Sequence, residues 1–283
     1  MDNTPIPVGK FHTLRNGYRV HYHEAGVPTP GKPTVVFLHG AGPGASGYSN
    51  FKHNLQVFAD AGWHCLAPDF LGFGLSDKPE KLNYSSPIQV AMLKELHGAL
   101  GIETIVPVGN SLGGAISLDY YMTHPGDVEK LILMAPGGLR DPREWVGESV
   151  GLQTMWAWTS NRPTDMEEAK RSFHDLLALL VHDKADITAD AVGERFPIAM
   201  EQPMILYQTL TCPYYLPEQL ATIEVPVFGL WGKADKFLPY EQNEILKGAL
   251  PNARISLSDE CGHWFMIEQK ERFNRECLEF LES

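Results

Sequence analysis

Short apolar runs alternate with segments of helical periodicity along most of the chain. The segment Phe11–Gly26 alternates around Asn16–Gly17, which predicts an antiparallel hairpin. Continuous apolar runs, typical of strands buried on both faces, predict further strands over Thr34–Leu38, His64–Pro68, Thr104–Val108, Lys130–Ala135, Val225–Trp231 and the more polar Arg254–Leu257. Apolar residues at helical spacing predict helices over Gln89–Leu100, Leu112–His124, Tyr240–Leu250 and Phe265–Leu281. Because strands and helices alternate, we predict an α/β fold, a mostly parallel sheet with helices on both faces.

The alternation breaks between residues 138 and 222, where the pattern is helical and interrupted by prolines. Helices are predicted over Trp145–Trp158, over Met166–His182 and from Ala189–Glu194 onwards. We therefore predict a core of residues 1–137 and 223–283, with a helical cap, or lid, of residues 138–222. Such an insertion would cover the carboxyl ends of the strands, where open α/β sheets bind ligands. The alternative is a second domain that has no connection with the site.

Charge narrows the range of partners. The chain has 283 residues and a formal net charge of -12. An acidic surface repels phosphate groups, so we expect no nucleic-acid partner and no docking on anionic membranes. The N-terminal sequence lacks a basic region followed by an apolar run, and no apolar stretch approaches the ~20 residues needed to span a bilayer. We therefore expect a cytoplasmic protein.

Neither the cysteines nor the histidines predict a metal or redox site. The four cysteines, at positions 65, 212, 261 and 277, form no CxxC pair, and we expect reduced thiols. His21 and His23 would share one face of a strand, but no HExxH motif or third ligand accompanies them. We expect no metal and no cofactor.

The strongest motif is G-N-S-L-G at 109–113, between the predicted strand Thr104–Val108 and a predicted helix. This is the strand–turn–helix context of a G-x-S-x-G turn, which presents a nucleophilic serine. Such a turn is sharp and strained, so the residues that flank the serine must be small. Gly109 and Gly113 meet that requirement. The motif therefore predicts Ser111 as the nucleophile.

A serine hydroxyl is a weak nucleophile until a base takes its proton. In hydrolases with this turn, the partners follow in the order serine, acid, histidine. Asp235 follows the predicted strand Val225–Trp231, and His263, the only histidine after residue 182, precedes a predicted helix. We therefore predict a triad of Ser111, Asp235 and His263. Two alternatives stay open for the acid: Asp235 is a cap or turn residue, or the acid is Asp259, which lies close to His263 in the chain.

The glycine-rich loop HGAGPGA at 39–45 directly follows the predicted strand Thr34–Leu38. Acyl transfer needs backbone N–H donors where negative charge develops on the carbonyl oxygen. One donor comes from the residue after the nucleophile and the other from such a loop. We therefore nominate Leu112 and Ala41 for the oxyanion hole, with Gly42 as a substitute for Ala41. The alternative is a phosphate-binding loop, but the segment lacks the Lys-Ser/Thr end of a P-loop and the spacing of a dinucleotide motif.

Together these motifs resemble the α/β-hydrolase superfamily over nearly the whole chain. Within it, HGAGPGASGYSNF at 39–51 is similar to the HGxGPGA segment of meta-cleavage product hydrolases. Those enzymes break a carbon–carbon bond in the 2-hydroxy-6-oxo-dienoates made by ring-opening of catechols. Gly-Asn-Ser at 109–111, Cys-Gly-His-Trp at 261–264 and Glu-Arg-Phe at 194–196 resemble the same enzymes. The resemblance implies the α/β-hydrolase fold with a helical lid insertion.

The resemblance also implies roles for substrate-binding residues. Arg195 would bind the carboxylate or 2-oxo end, because a planar guanidinium suits a carboxylate. Asn110 and Asn50 would hydrogen-bond the same end, and Trp264 would form a wall of the pocket. A solvated helix charge is the alternative for Arg195, and core packing is the alternative for Trp264. The partner implied is a small molecule with a carboxylate and a ketone, handled by a homo-oligomer of two or more chains. The stretch Thr211–Pro217 departs from the family, which often has a tryptophan late in the lid, so the substituent at the cleaved end stays open.

The implied activity is serine-dependent hydrolysis of a carbon–carbon bond. Ser111 would attack the 6-oxo carbonyl after the dienol has become a ketone, with His263 as proton shuttle and Asp235 as its orienting acid. The first alternative is a carboxylesterase or thioesterase with the same triad, which would not need Arg195 and Asn110. The second is a non-catalytic ligand receptor, against which the complete triad argues.

Overall fold

A computed structural model describes residues 6–283, and its eight strands form one sheet. The strands are β1 (Lys10–Thr13), β2 (Arg19–Ala25), β3 (Thr34–Leu38), β4 (Cys65–Pro68), β5 (Ile105–Asn110), β6 (Leu131–Met134), β7 (Val227–Gly232) and β8 (Arg254–Ser258). Their order across the sheet is β1-β2-β4-β3-β5-β6-β7-β8. The β1–β2 and β2–β4 pairs are antiparallel, and the remaining pairs are parallel. The predicted mostly parallel α/β sheet is confirmed.

Helices cover both faces of this sheet. The α-helices are α1 (Gly47–Phe51), α2 (Leu55–Asp60), α3 (Ser86–Ala99), α4 (Leu112–Thr123), α5 (Val150–Ser160), α6 (Met166–Leu177), α7 (Ala189–Glu201), α8 (Met204–Thr209), α9 (Pro217–Leu220), α10 (Asn243–Ala249), α11 (Phe265–Glu268) and α12 (Lys270–Glu282). Short 3-10 turns lie at Pro125–Asp127, Pro142–Glu144, Val146–Glu148, Lys184–Asp186 and Tyr240–Gln242. One group of helices packs α2 against α12, and another packs α3 against α4.

The central strands β3, β5 and β7 are buried at every position. A strand covered on both faces has no solvent side, so each of its residues must be compatible with the core. This is why these strands appear in the sequence as unbroken apolar runs. In the edge strand β8 only Ser256 and Ser258 are buried, whereas Arg254 is exposed and the other two residues are half-buried, which accounts for its more polar sequence.

The insertion between β6 and β7 contains α5 to α9 and differs in detail from the prediction. The first helix begins at Val150 instead of Trp145, because the Ser149 hydroxyl accepts the Leu152 N–H and caps the helix there. The residues before it form 3-10 turns. The second helix ends at Leu177, so Leu180–His182 is not helical. We call Leu180–His182 the lid strap.

The two ends of the insertion are held against the core and against each other. The Tyr215 N–H donates to the Gly138 carbonyl at 2.8 Å, so the last part of the insertion bonds to its beginning. The Tyr215 hydroxyl donates to Asp119 of α4 at 2.8 Å. The Ser86 N–H, at the start of α3, donates to the Thr211 carbonyl at 2.8 Å. The insertion is therefore bonded to α3 and α4 of the core.

Two further observations bear on the sequence predictions. None of the helices in residues 6–283 is long and apolar enough to cross a membrane. The four cysteines are free thiols, and Cys65, Cys261 and Cys277 are buried.

Candidate active site

Ser111 occupies the turn between β5 and α4, at the carboxyl edge of the sheet. Its φ of 56° and ψ of -112° are sparsely populated values for an L-residue, so the surroundings must hold the turn. A Cβ at Gly109 would overlap the Gly113 carbonyl oxygen, and a Cβ at Gly113 would overlap the Leu38 carbonyl oxygen. Glycine at both positions lets the turn close and presents the Ser111 side chain to a cavity above the sheet.

His263 and Asp235 come from the loops after β8 and β7 and meet beside Ser111. The His263 Nδ1 atom lies 2.7 Å from Asp235 Oδ2, and both side chains are almost completely buried. The other oxygen, Oδ1, accepts the N–H groups of Phe237 at 2.7 Å and Leu238 at 3.0 Å. The carboxylate is therefore held with Oδ2 towards the imidazole, which assigns the proton to Nδ1 and leaves Nε2 as the basic atom.

Ser111 and His263 line the same cavity. Within the described part of the chain, neither the Ser111 hydroxyl nor the His263 Nε2 atom has a hydrogen-bond partner. The Phe237 ring stacks on the imidazole, with centroids 5.3 Å apart. The stacking and the bond to Asp235 restrict the ring to one orientation, with Nε2 available for proton transfer.

The glycine-rich loop after β3 is anchored by His39, whose side chain is fully buried. The Phe70 N–H donates to His39 Nε2 at 3.0 Å, so the ring proton is on Nδ1, which lies 2.8 Å from the Gly40 carbonyl oxygen. Burial lowers the pKa of His39 to about 4, so this ring is neutral near neutral pH. His39 is thus a structural residue that fixes the first turn of the loop.

The anchored loop leaves backbone donors facing the cavity. Ala41 and Gly42 line it, and their N–H groups donate no hydrogen bond within residues 6–283. Leu112 is the first residue of α4, where an N–H has no acceptor inside the helix. Ala41 and Gly42 therefore line the cavity of Ser111, and Leu112 directly follows Ser111 at the start of α4, an arrangement compatible with an oxyanion site.

Arg195 of α7 lines the same cavity as Ser111, and we call the part lined by Arg195, Asn50 and Asn110 the polar end of the cavity. Its side chain is 1 % exposed, and one guanidinium nitrogen donates to the Ser49 carbonyl at 2.6 Å and to Asn50 Oδ1 at 3.4 Å. The guanidinium lies 4.5 Å from the centre of the Trp264 ring. Burial lowers the pKa of Arg195 to about 10, which still leaves the group charged near neutral pH.

Two polar atoms at this end have no protein partner. Arg195 Nε and Asn110 Oδ1 are buried and unsatisfied, whereas the Asn110 amide nitrogen donates to the His263 carbonyl at 3.1 Å. The neighbouring Glu194 forms its ion pair with Lys52 at 2.7 Å, although its charge partly offsets the effect of burial on the pKa of Arg195. Buried polar groups without partners cost free energy, so this end is suited to an anion that also offers a hydrogen-bond donor.

The remaining wall of the cavity is apolar, and sequence reasoning missed the residues that form it. They are Leu152 and Met155 of α5, Leu180 of the lid strap, and Phe237. Leu152 and Met155 are three positions apart on a helix, which places them on one face. That spacing was a usable signal, but nothing in the sequence showed which face of α5 turns towards Ser111.

His21 and His23 do not form a metal site. They share one face of β2, with ring centroids 4.8 Å apart. However, His21 Nδ1 lies 2.8 Å from Asp69 Oδ2, and His21 Nε2 accepts the Gly9 N–H at 2.9 Å, so both ring nitrogens are used. Across residues 6–283, no group of three or more histidine, cysteine or acidic side chains is arranged to hold a metal ion.

A family model described as the alpha/beta hydrolase fold matches residues 33–270. A 2-hydroxy-6-oxononadienedioate/2-hydroxy-6-oxononatrienedioate hydrolase from Paraburkholderia phymatum is 34% identical over 270 residues, covering 93% of this chain and 91% of that protein. A 2-hydroxy-6-oxo-6-phenylhexa-2,4-dienoate hydrolase from Comamonas testosteroni is 30% identical over 271 residues, with the same coverage of both chains. A solved meta-cleavage product hydrolase from Pseudomonas fluorescens superimposes with a TM-score of 0.81 at 27% identity, covering 97% of this chain and 98% of that one.

Proposed function

The chain belongs to the α/β-hydrolase family and is a hydrolase, and we propose that it cleaves a carbon–carbon bond in 2-hydroxy-6-oxo-hexa-2,4-dienoates. The observation that carries the proposal is the buried guanidinium of Arg195, which shares one cavity with Ser111. No carboxylate pairs with this guanidinium among the described residues. A simple ester hydrolase has no use for such a cation, whereas a dienoate supplies its own carboxylate.

The cavity suggests one orientation for this substrate. The carboxylate and 2-oxygen would bind Arg195, with the amides of Asn50 and Asn110 beside them, since these groups form the polar end. The C6 carbonyl would then lie at Ser111, with its oxygen directed to the N–H groups of Ala41 and Leu112. Trp264 would form the wall against which the planar diene packs.

The proposed chemistry uses the triad and water. His263 moves the proton of the 2-hydroxyl to C5, which converts the dienol to a ketone and provides an electron sink. Ser111 gives its proton to His263 and adds to C6, and the C5–C6 bond then breaks, with its electrons entering the enolate of 2-hydroxypenta-2,4-dienoate. His263 returns the proton to this leaving group, and a water molecule activated by His263 releases the carboxylic acid from Ser111. Asp235 orients His263 and stabilises its cation.

The apolar wall supports an uncharged substituent on C6. Leu152, Met155 and Phe237 offer no cation to a second carboxylate, and burying such a group without a partner is costly. We therefore expect 6-alkyl or 6-phenyl dienoates to be better substrates than those with a carboxylate at the cleaved end.

The cavity measures about 30 Å³, which is room for about two water molecules. Because a hexadienoate is larger than this volume, we expect the side chains of α5 that line the cavity to shift outwards when the substrate binds.

The test follows the loss of the visible absorbance of the dienoate in steady state. We expect rapid bleaching by the wild type, abolition in Ser111→Ala, and a loss of kcat/KM of about 100-fold in Arg195→Gln, from a missing charge-assisted bond. The hydrolysis of p-nitrophenyl acetate, which has no carboxylate, should change little in Arg195→Gln. Ester cleavage without any bleaching would instead identify an ester hydrolase with the same triad.

Arg162→Gln is the matched control. Arg162 is a second arginine of the insertion; it is half-buried, bonds the Gln202 carbonyl at 2.8 Å and does not line the cavity. The proposal requires Arg162→Gln to retain dienoate cleavage. An equal loss in the two arginine variants would assign the effect to lid stability and remove Arg195 from substrate binding.

We also propose that the working form is a homo-oligomer with no nucleic-acid partner. Trp156 and Met166 are more than half exposed on the lid, which favours contact with a second copy. Light scattering after size exclusion measures the assembly directly, and a monomer at micromolar concentration would contradict it.

A further inference from the structure

The lid strap lies directly on the loop that carries His263. The His263 N–H donates to the Leu180 carbonyl at 2.8 Å. A Cβ at Gly262 would be only 2.8 Å from the Leu180 carbonyl oxygen and 2.9 Å from the Val181 Cα atom. Glycine at 262 therefore permits the two backbones to touch, and the strap contributes Leu180 to the cavity wall.

One carboxylate, that of Glu268, joins these two backbones. Its oxygens accept the N–H of His182 at 2.6 Å, the N–H of Gly262 at 2.9 and 3.0 Å, and the N–H of Trp264 at 3.2 Å. The first donor belongs to the strap, and the other two lie on either side of His263. Glu268 is the last residue of α11, so a short rigid helix holds the carboxylate in place.

Glu268 has no basic partner to explain a charge at this position. No lysine, arginine or histidine side chain forms an ion pair with it within residues 6–283. Burial raises its pKa, while the three backbone N–H groups act in the opposite direction. Its oxygens thus accept the backbone N–H groups of the strap and the His263 loop and, at 3.7 Å, the Cys261 thiol.

We propose that Glu268 is a positioning residue that locks the lid strap and the His263 loop into one unit. The inference rests on the proposed role of His263 as the base. A carboxylate is required because all the groups it meets are donors, and only an ionised carboxyl group accepts at every oxygen position. Loss of the lock would leave His263 bonded to Asp235 but free to shift relative to Ser111. It would also release Leu180 from the cavity wall.

The test compares Glu268→Gln with the wild type on two substrates. Glutamine has the same shape, but its amide N–H₂ would face at least one of the backbone donors. Displacement of a catalytic group by about 1 Å can cost 10²-fold in rate. We expect kcat for p-nitrophenyl acetate to fall about 10-fold and kcat/KM for the dienoate to fall about 100-fold, because the larger substrate also needs the strap. Hydrogen exchange at the amides of His182, Gly262 and Trp264 should accelerate together.

Glu95→Gln is the matched control, since Glu95 also accepts a backbone N–H, that of Arg15 at 2.6 Å, but lies outside the cavity. It should leave both activities unchanged.

If Glu268→Gln does not fold, Gly262→Ala tests the same contact, because the added methyl group would push the strap away from the loop. Normal kinetics in Gly262→Ala would overturn the proposal. Faster exchange in Glu268→Gln with unchanged kcat on both substrates would also overturn it. Failure of the carbon–carbon hydrolase proposal is recognised separately, because the wild type would then cleave the ester and never bleach the dienoate.

Discussion

Two histidine–aspartate pairs of almost the same geometry lie in different parts of the core. In the first, which we call the cavity pair, His263 Nδ1 is 2.7 Å from Asp235 Oδ2. In the second, the buried pair, His21 Nδ1 is 2.8 Å from Asp69 Oδ2. Each carboxylate also accepts two backbone N–H groups. Residue type, distance and burial therefore do not distinguish the two pairs.

The second ring nitrogen does distinguish them. His21 Nε2 accepts the Gly9 N–H, so the ring is bonded on both sides and links β2 to the loop after β4. His263 Nε2 has no partner in the described part of the chain, and its ring lines the cavity beside Ser111. A carboxylate fixes the tautomer of a histidine in either setting, but only a nitrogen left open to a substrate can serve as a base.

Substituting each aspartate by asparagine gives the largest contrast between the pairs. Asp235→Asn should lower kcat about 10⁴-fold, because an amide favours the wrong tautomer and cannot stabilise the imidazolium. Asp69→Asn should leave kcat per folded molecule close to that of the wild type, because no group of the buried pair lines the cavity. The measurement is steady-state ester and dienoate hydrolysis, normalised to the serine titrated by a phosphonyl fluoride. A thousandfold loss in Asp69→Asn would erase the distinction.

The free energy of unfolding should change in the reverse order, with a larger loss in Asp69→Asn than in Asp235→Asn. Hydrogen bonds to a buried charged group are typically worth about 1.5–3 kcal/mol, and we expect a free-energy loss of about 3 kcal/mol in Asp69→Asn, whose carboxylate meets the His21 ring and the N–H groups of Gly47 and Leu75. Asp235→Asn should lose about 1 kcal/mol, because Oδ1 alone accepts the N–H groups of Phe237 and Leu238, and the asparagine oxygen can replace it. At Asp69 each of the two oxygens accepts a backbone N–H, so an asparagine N–H₂ would face a donor. Urea unfolding at pH 7 measures both values, and equal losses would show that the two sites are energetically alike.

The buried pair also predicts how the stability difference depends on pH. Burial by itself would raise the pKa of Asp69, but the hydrogen bond from the His21 side chain and that from the Leu75 N–H hold the pKa below the usual value. A carboxyl group with a lowered folded-state pKa stabilises the fold fully above its unfolded pKa of about 3.9, and loses that contribution as the pH falls through the folded value. The difference between wild type and Asp69→Asn should therefore shrink below about pH 4. A constant difference between pH 7 and pH 3 would contradict this assignment.

The sequence predicted the sheet well, because its strands obey a simple rule. β3 was predicted at its observed limits, and the other central strands to within two residues, since continuous burial leaves an unbroken apolar run. The short α1 was not predicted. It has five residues and forms through a local capping box between Ser46 and Ser49, with no helical apolar pattern to reveal it. The strap was wrongly predicted as helix, because its conformation depends on contact with Gly262 far along the chain.

The candidate site also contains some residues that the sequence predicted and others that it did not. Ser111, Asp235 and His263 could be nominated from their order and from their positions at strand ends, and in the structure Ser111 and His263 line one cavity while Asp235 bonds His263. Glu268 could not be nominated, because it follows His263 by five residues on what reads as an ordinary amphipathic helix. The Asp69–His21 pair was also missed, since the sequence gives no sign that the two residues meet.

The close approach of Gly44 to α7 determines which positions of this enzyme can be varied in directed evolution. Gly44 has a φ of 72°, and a Cβ there would overlap the Arg195 carbonyl oxygen, so any side chain at 44 would dislodge the arginine backbone. Mutant libraries that include position 44 would consist largely of inactive members. Leu152 and Met155, in contrast, reach the cavity with flexible side chains from a single helix. A library confined to positions 152 and 155 would sample new substituents on C6, and therefore new carboxylic acid products, while the recognition of the dienoate stays intact.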